Sequence, residues 1–329
     1  MLRAFKDFKR GAVACGAVIA IAVDGSASAQ GFPTKPVRLV VPFAPGGVVD
    51  ITARLLGQKL SEAMGQPFIV ENKAGAGGSI AAETVAKSPA DGYTLLLAFD
   101  THAVNPHIYK NLRFDTFKDF VPISSVGTIP LLVAASPDFP AKDVAGLIKV
   151  AKEKPGSVSY GSVGAGSSGH LAAEQFKMLA GVDMLHVPFK GGAPAMTALM
   201  GNQVQLVIFA ATAAVPLVMS GKVKAIAISA DKRSAALPGV PTLAEAGFPQ
   251  LNSGAWMGLL APAGTPPAVI NQLQTEVAKA TRDPELVKKL AEQAVELSSS
   301  KPEAFGAFVR AEHDKWGKLI KDANLNVQQ

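Results

Sequence analysis

The chain of 329 residues has a single cysteine, Cys15, and few aromatics, 6 % of the total. One cysteine excludes a disulfide framework and a cysteine-based zinc site. Sparse aromatics beside 31 glycines and 23 prolines suit many short strand-to-helix turns better than an aromatic binding platform. After the first thirty residues no apolar run reaches the ~18 to 20 residues needed to span a membrane, so the mature chain is expected to be soluble. The Lys and Arg residues are spread along the chain without a cluster, which argues against nucleic acid as a partner. The five histidines, His102, His107, His170, His186 and His313, show no H-x-x-x-H or H-E-x-x-H spacing, so no metal site is expected.

What is present begins with a targeting pattern. Arg3, Lys6, Lys9 and Arg10 make a basic start, Gly11 to Val23 a short apolar stretch, and Ala27-Ser-Ala29 a small-residue cleavage site. Residues 1–29 are therefore expected to be an export signal cut near Ala29. The stretch ending at Cys15 weakly resembles a lipoprotein cleavage site, but cutting there would leave half the apolar segment behind. Cys15 falls within the signal, so the mature protein would have no thiol. The whole chain carries a formal charge of +6; losing four basic and two acidic side chains with residues 1–29 leaves +4.

Length predicts two α/β lobes, because 329 residues exceed one ordinary core. The central motif is Val37 to Asp50: a buried strand over Val37–Val41, a turn at Pro45-Gly46-Gly47, and a helix whose Ile51, Leu55, Leu56 and Leu60 recur at helical spacing. A helix start behind two glycines is an anion seat, since its first N–H groups have no partner and face the positive dipole end. Asp50 reads either as a first-turn acid or as a selector for an amine. Further strands are predicted over 68–71, 93–99, 157–163, 184–189, 204–209 and 224–229. Glycine-rich or polar turns follow at Asn72–Gly78, Asp100–His102, Gly164–His170 and Lys190–Pro194. In an open parallel sheet these loops converge on a cleft at the carboxyl ends of the strands. Val121 to Ala135 and Ala255 to Ala261 read as extended crossings, giving lobe one from residues 30–127 and 256–329 and lobe two from 128–255.

Two motifs suggest chemistry. Gly164-Ala-Gly166-Ser-Ser-Gly169 satisfies the dinucleotide pattern, but the candidate acid Asp183 precedes its strand instead of ending it, and a tight turn explains the glycines equally well. Ala165-Gly-Ser167-Ser-Gly169 approaches a nucleophile elbow, yet His170 is too close in sequence to serve Ser167, and hydrolases of that type place acid and base later. His186 lies in an apolar strand and His313 in a charged helix. Neither reading is preferred, and no cofactor is expected.

The ordered motifs Lys35-Pro-Val-Arg-Leu-Val-Val-Pro-Phe-Ala-Pro-Gly-Gly47, Val70-Glu-Asn-Lys-Ala-Gly-Ala-Gly-Gly78, Ala90-Asp-Gly-Tyr-Thr94, Thr101-His-Ala-Val-Asn-Pro106, Gly161 to Leu171, His186 to Pro194, Pro241 to Gly247 and Trp256 to Pro262 resemble the Bug-type receptors of tripartite tricarboxylate transporters across the whole mature chain. The resemblance implies a periplasmic, two-lobe binding protein of class II type, with a ligand cleft between lobes and extended hinge crossings. It implies a monomer that captures a small carboxylate and hands it to the membrane subunits, without catalysis. By motif position it places Phe43, Ala44, Gly46 and Gly47 on one jaw with Gly77 and Gly78 beside them, and Ser162, Val163, Gly166 and Ser167 on the other. Thr101, His102, Phe189, Phe209 and Ala210 would shape the distal end. Asp100 stands where the family pattern sometimes has Ser or Gly, and an acid there disfavours a second carboxylate. A sensory receptor of the same fold and an exported hydrolase are the competing readings.

Overall fold

A computed structural model describes residues 31–189, 191–251 and 254–325; the expected export signal lies outside the described residues. Two sheets carry the architecture. The first has six strands in the order β11-β4-β10-β3-β1-β2, where β1 is Val37–Val41, β2 Phe68–Asn72, β3 Thr94–Phe99, β4 Phe120–Ile129, β10 Ala255–Pro262 and β11 Glu296–Leu297. The second has five in the order β7-β6-β8-β5-β9, from β5 Leu131–Ala135, β6 Val158–Ser162, β7 Met184–Pro188, β8 Leu206–Ala210 and β9 Lys224–Ser229.

The sheets are not wholly parallel as expected. β1, β2 and β3 run parallel, as do β6, β7 and β8, but β10 runs against β3 and β4, and β5 against β8 and β9. The reason is topological. β5 and β10 each enter from the other lobe at the edge where the parallel strands end, as the pairs Leu131 with Ala210 and Met257 with Phe99 record. A strand entering there must run backwards.

The two crossings lie side by side. Ala255 pairs with Ile129, and a Cβ on Gly254 would lie 2.2 Å from the Ile129 carbonyl oxygen. Only glycine allows that approach. Pro130 separates β4 from β5, and apolar residues on both sides of it, Ile129 and Leu131, belong to one continuous core.

Helices cover the sheets. α1, Val48–Met64, buries Val49, Ala53, Leu56 and Leu60 at helical spacing and stops at Gly65, whose φ of 69° is left-handed. α2 is Ser79–Ala86. The stretch expected as a polar loop after β3 instead opens a helix, α3, Thr101–Ile108, with Pro106 inside it. Proline cannot bond back to the His102 carbonyl, which faces the Thr116 hydroxyl at 3.5 Å. In the second lobe α4 is Val144–Glu153, α5 Ser168–Ala180, α6 Gly192–Met200 and α7 Val215–Met219. The C-terminal stretch forms α8, Pro267–Ala280, α9, Pro284–Ala291, and α10, Pro302–Asp322. α10 returns to the first sheet, where Phe305 stacks edge-on to Trp256 and fills the space above Gly258. Among the described residues no helix is long and apolar enough to cross a membrane.

Candidate functional site

A cleft of about 510 Å3 opens where the two sheets face each other. The first sheet contributes the end of β3 at Phe99 and the turn from Phe43 through Gly46 and Gly47 into Val48, Val49 and Ile51 of α1. The second contributes Val163, Ser168 and Gly169 at the start of α5, Gly192 at the start of α6, and Phe209, Ala210 and Thr212 after β8. Gln293 reaches the cleft from the segment after α9. The walls are apolar and the ends are helix starts.

The shape of the first jaw depends on Asp50. Its side chain is only 3 % exposed and accepts from the Gly46 N–H at 3.0 Å, Arg54 Nε at 3.0 Å and Asn72 Nδ2 at 2.9 Å. Asn72 also donates to the Phe43 carbonyl at 2.9 Å, which ties both ends of the turn to one acid. Burial pushes the Asp50 carboxyl up, but the bonds from Arg54, Gly46 and Asn72 prevail and hold it below its ordinary value. Asp50 therefore braces the turn instead of selecting an amine, and Arg54 is part of that brace. The α1 ladder begins with Ile51 N–H on the Gly47 carbonyl, so Val48, Val49 and Asp50 hold the N–H groups that have no partner within the helix.

The second jaw is braced in a different way. Ser162 is fully buried; its hydroxyl donates to the Gly164 carbonyl at 3.0 Å and meets His186 Nε2 at 2.7 Å. Ser167 caps α5 by accepting from the His170 N–H, and its own hydroxyl donates to the same Gly164 carbonyl at 2.7 Å. His170 Nδ1 accepts from the Gly166 N–H at 3.0 Å. Behind the turn His170 and His186 stack at 3.9 Å, with Tyr160 next in the pile. Burial lowers both histidines, His186 to about 4, so both are neutral near neutral pH. The side chains of Ser162, Ser167 and His170 are thus spent on the loop itself, while Val163, Ser168 and Gly169 line the cleft.

The expected site residues divide accordingly. Phe43, Gly46, Gly47, Val163, Phe209 and Ala210 line the cleft. Ala44 is exposed in the same turn. Ser162, Gly166 and Ser167 brace the second jaw from behind. Gly77 and Gly78 pack into lobe one: a Cβ on Gly77 would meet Asn105 Oδ1 at 3.0 Å, and one on Gly78 would meet Pro42 at 2.8 Å. Thr101 is half-buried beside Gly78. Phe189 covers Gly161 on the second sheet. His102, expected at the distal end, faces the interior of lobe one, stacked on Phe114 and edge-on to Phe120, and burial lowers it to about 4.

Sequence reasoning missed Val48, Val49, Ile51, Phe99, Ser168, Gly169, Gly192, Thr212 and Gln293. The first turns of α1 and α5 could have been found by continuing one helical turn past each glycine pair. Nothing in the sequence marks Gln293.

The dinucleotide and nucleophile readings fare as follows. Asp183 precedes β7, at the end of the sheet away from the cleft. The Ser167 hydroxyl has backbone partners, Gly164 and His170, and no imidazole partner. Among the described residues no three His, Cys, Asp or Glu side chains come together as a metal-holding group.

Comparison with known proteins places this arrangement. The sequence pattern described as "Tripartite tricarboxylate transporter family receptor" matches residues 52–325. BugT of Bordetella pertussis is 34% identical over 303 residues, 92% of this chain and 93% of that protein. Among solved structures, an R. palustris protein with adipate is 38% identical with a TM-score of 0.80, covering 89% of this chain and 98% of the other. MatC from Rhodopseudomonas palustris with bound malate is 33% identical with a TM-score of 0.75, covering 88% and 100%.

Proposed function

This chain belongs to the tripartite tricarboxylate transporter receptor family, and we propose that it captures a small carboxylate between its lobes and delivers it to the membrane subunits of such a transporter. One observation carries the reading. Two long helices, α1 of 17 residues and α5 of 13, start at the same cleft from opposite lobes, and Asp50, Ser162 and Ser167 beside them are engaged in holding their own turns. That leaves backbone N–H groups and two positive dipole ends for an anion. Relatives solved with adipate and malate bind acids of this kind.

The protein acts in this reading as a periplasmic monomer, exported by residues 1–29, with residues 30–127 and 256–329 in one lobe and 128–255 in the other. It binds without turnover. A sensory role would use the same cleft and differ only in the partner that reads the liganded form.

Calorimetric titration with adipate and malate tests it, with Gly47→Val and Arg54→Ala as variants. Gly47 has an ordinary φ of −78° and no atom nearer than 3.7 Å to a would-be Cβ, so valine there fills the cleft without straining the turn. The expected result is binding that Gly47→Val removes by ~100-fold or more, as blocking close approach of an anion to backbone donors should. Arg54→Ala should weaken it less, through a looser Asp50. The reverse order would place the anion on side chains and sink the backbone seat.

A further inference from the structure

Asp100 joins β3 to α3, directly after the cleft-lining Phe99. The residue is 3 % exposed, both carboxylate oxygens are buried, and neither makes a well-aligned hydrogen bond. It stands at the N-cap of α3 without making a cap bond, although an aspartate there ordinarily accepts from the first turn. A buried carboxylate without well-aligned hydrogen bonds is costly, so this position needs a reason.

The surroundings supply one. From α5, across the seam between the lobes, comes the Ser168 hydroxyl, which favours the charged form; so does the Thr101 N–H of its own helix. From α10 comes Glu312, which opposes it. Glu312 is itself held by Trp316 Nε1 at 2.9 Å and paired with Lys315 at 3.5 Å. The two nearby histidines face elsewhere, His102 into Phe114 and Phe120, His170 onto His186. Burial outweighs the favourable contacts and raises Asp100 to about 7. Ser168 also lines the cleft and opens α5. A ligand carboxylate seated on the start of α5 would therefore have Asp100 behind the Ser168 it meets. Two carboxylates so close, one of them dehydrated, resist being ionised together.

We propose that Asp100 is a specificity-determining residue that must carry a proton for an anionic ligand to be held, so that capture of a carboxylate is coupled to uptake of up to one proton, approached as pH rises above neutrality. The proposal rests on the carboxylate seat argued above. The proton comes from solvent, stays on a carboxyl oxygen of Asp100, and removes a charge that would repel the ligand from behind Ser168. An amine-bearing ligand would do the opposite, favouring ionised Asp100.

The test is titration calorimetry of the whole mature chain with benzoate, malate, adipate and citrate at about pH 6 and about pH 8, each in two buffers of different ionisation enthalpy. The wild type should bind about tenfold more weakly at the higher pH, because only the protonated fraction is competent, and the buffer dependence should report proton uptake. Asp100→Asn should bind equally at both and take up no proton. Should that variant misfold, the buffer measurement on the wild type decides alone. Equal affinity at both pH values with no proton uptake overturns the role of Asp100 and leaves the anion seat standing. Affinity that rises with pH marks Asp100 as a partner for a cation and overturns it too. Failure of every carboxylate at either pH overturns both readings.

Discussion

Asp50 shows how a single buried acid can hold a glycine turn in shape. Its bonds to Gly46, Arg54 and Asn72 hold the Phe43 to Gly47 backbone open, and its depressed pKa has a consequence for stability. A carboxyl whose folded pKa lies below its unfolded one stabilises the fold above the unfolded value, and the benefit fades as pH falls through the folded pKa. Asp50→Asn should therefore cost about 1 to 3 kcal/mol at neutral pH, as loss of charge-assisted bonds to a buried group does. The gap should narrow below about pH 4, where the wild-type carboxyl also protonates. Urea titrations of both proteins across that range check it; a gap that stays constant with pH would mean that the charge is idle. Asp100 behaves in the opposite sense, since its raised pKa makes the ionised form a burden as pH climbs towards 7. The sequence marked both acids as lying near the site, but their roles depend on partners such as Asn72 and Ser168, which only folding brings to them.

At the level of elements, α5 depends on Gly169. A Cβ there would lie 1.9 Å from the Ile208 carbonyl oxygen of β8, so the helix start is pressed onto the sheet as only glycine permits. Gly169→Ala must lift α5 off β8, and this moves the N–H groups of the second jaw. Overpacking of this kind costs about 1 to 3 kcal/mol, and the displaced donors should weaken carboxylate binding more than the stability loss alone suggests. Thermal unfolding and calorimetric titration of the one variant separate the two effects; unchanged affinity would show that α5 is not a donor. The G-x-G-x-x-G spelling thus has a structural cause here, with its third glycine serving helix-to-strand contact. Strand and helix positions were legible from periodicity, and β1 and β9 were read to the residue. α3 was missed because Thr101-His-Ala-Val-Asn-Pro106 carries polar residues and a proline, signals of a loop when read locally.

For the whole molecule, the lobes are joined by more than the two expected crossings. Ala294, with a left-handed φ of 54°, is buried in a core cluster of the second lobe, although its neighbour Glu296 pairs with β4 of the first. Beside it the Thr212 hydroxyl donates to the Gln293 carbonyl at 2.8 Å. On the far side, Leu171 of α5 packs with Val104, Ile108, Trp316 and Leu319 of α3 and α10. These ties limit how far the lobes can part. On the proposed function, a ligand bridging both jaws would gain donors only as they approach, and that difference in affinity would drive closure. Small-angle scattering should show a smaller radius of gyration with saturating acid. Thr212→Val, which removes the clasp at Gln293, should enlarge the unliganded form and leave the liganded one unchanged. Identical curves for both proteins with and without ligand would describe a rigid cleft.

The sequence by itself determined the strand-turn-helix units, the two glycine-rich turns at the ends of β1 and β6, the crossings near Pro130 and Ala255, and the family to which these motifs point. Those features are local: period, turn chemistry and spacing are written in neighbouring residues. Only the tertiary structure decided that β5 and β10 run against their sheets and that Gly77, Gly78 and His102 serve lobe one. Only it brought Ser168, Gly192, Thr212 and Gln293 to one cleft and buried Asp100 behind Ser168. The reason is distance along the chain. A residue's burial and partners are set by segments up to ~200 positions away, and no periodicity within its own segment encodes which of them will arrive.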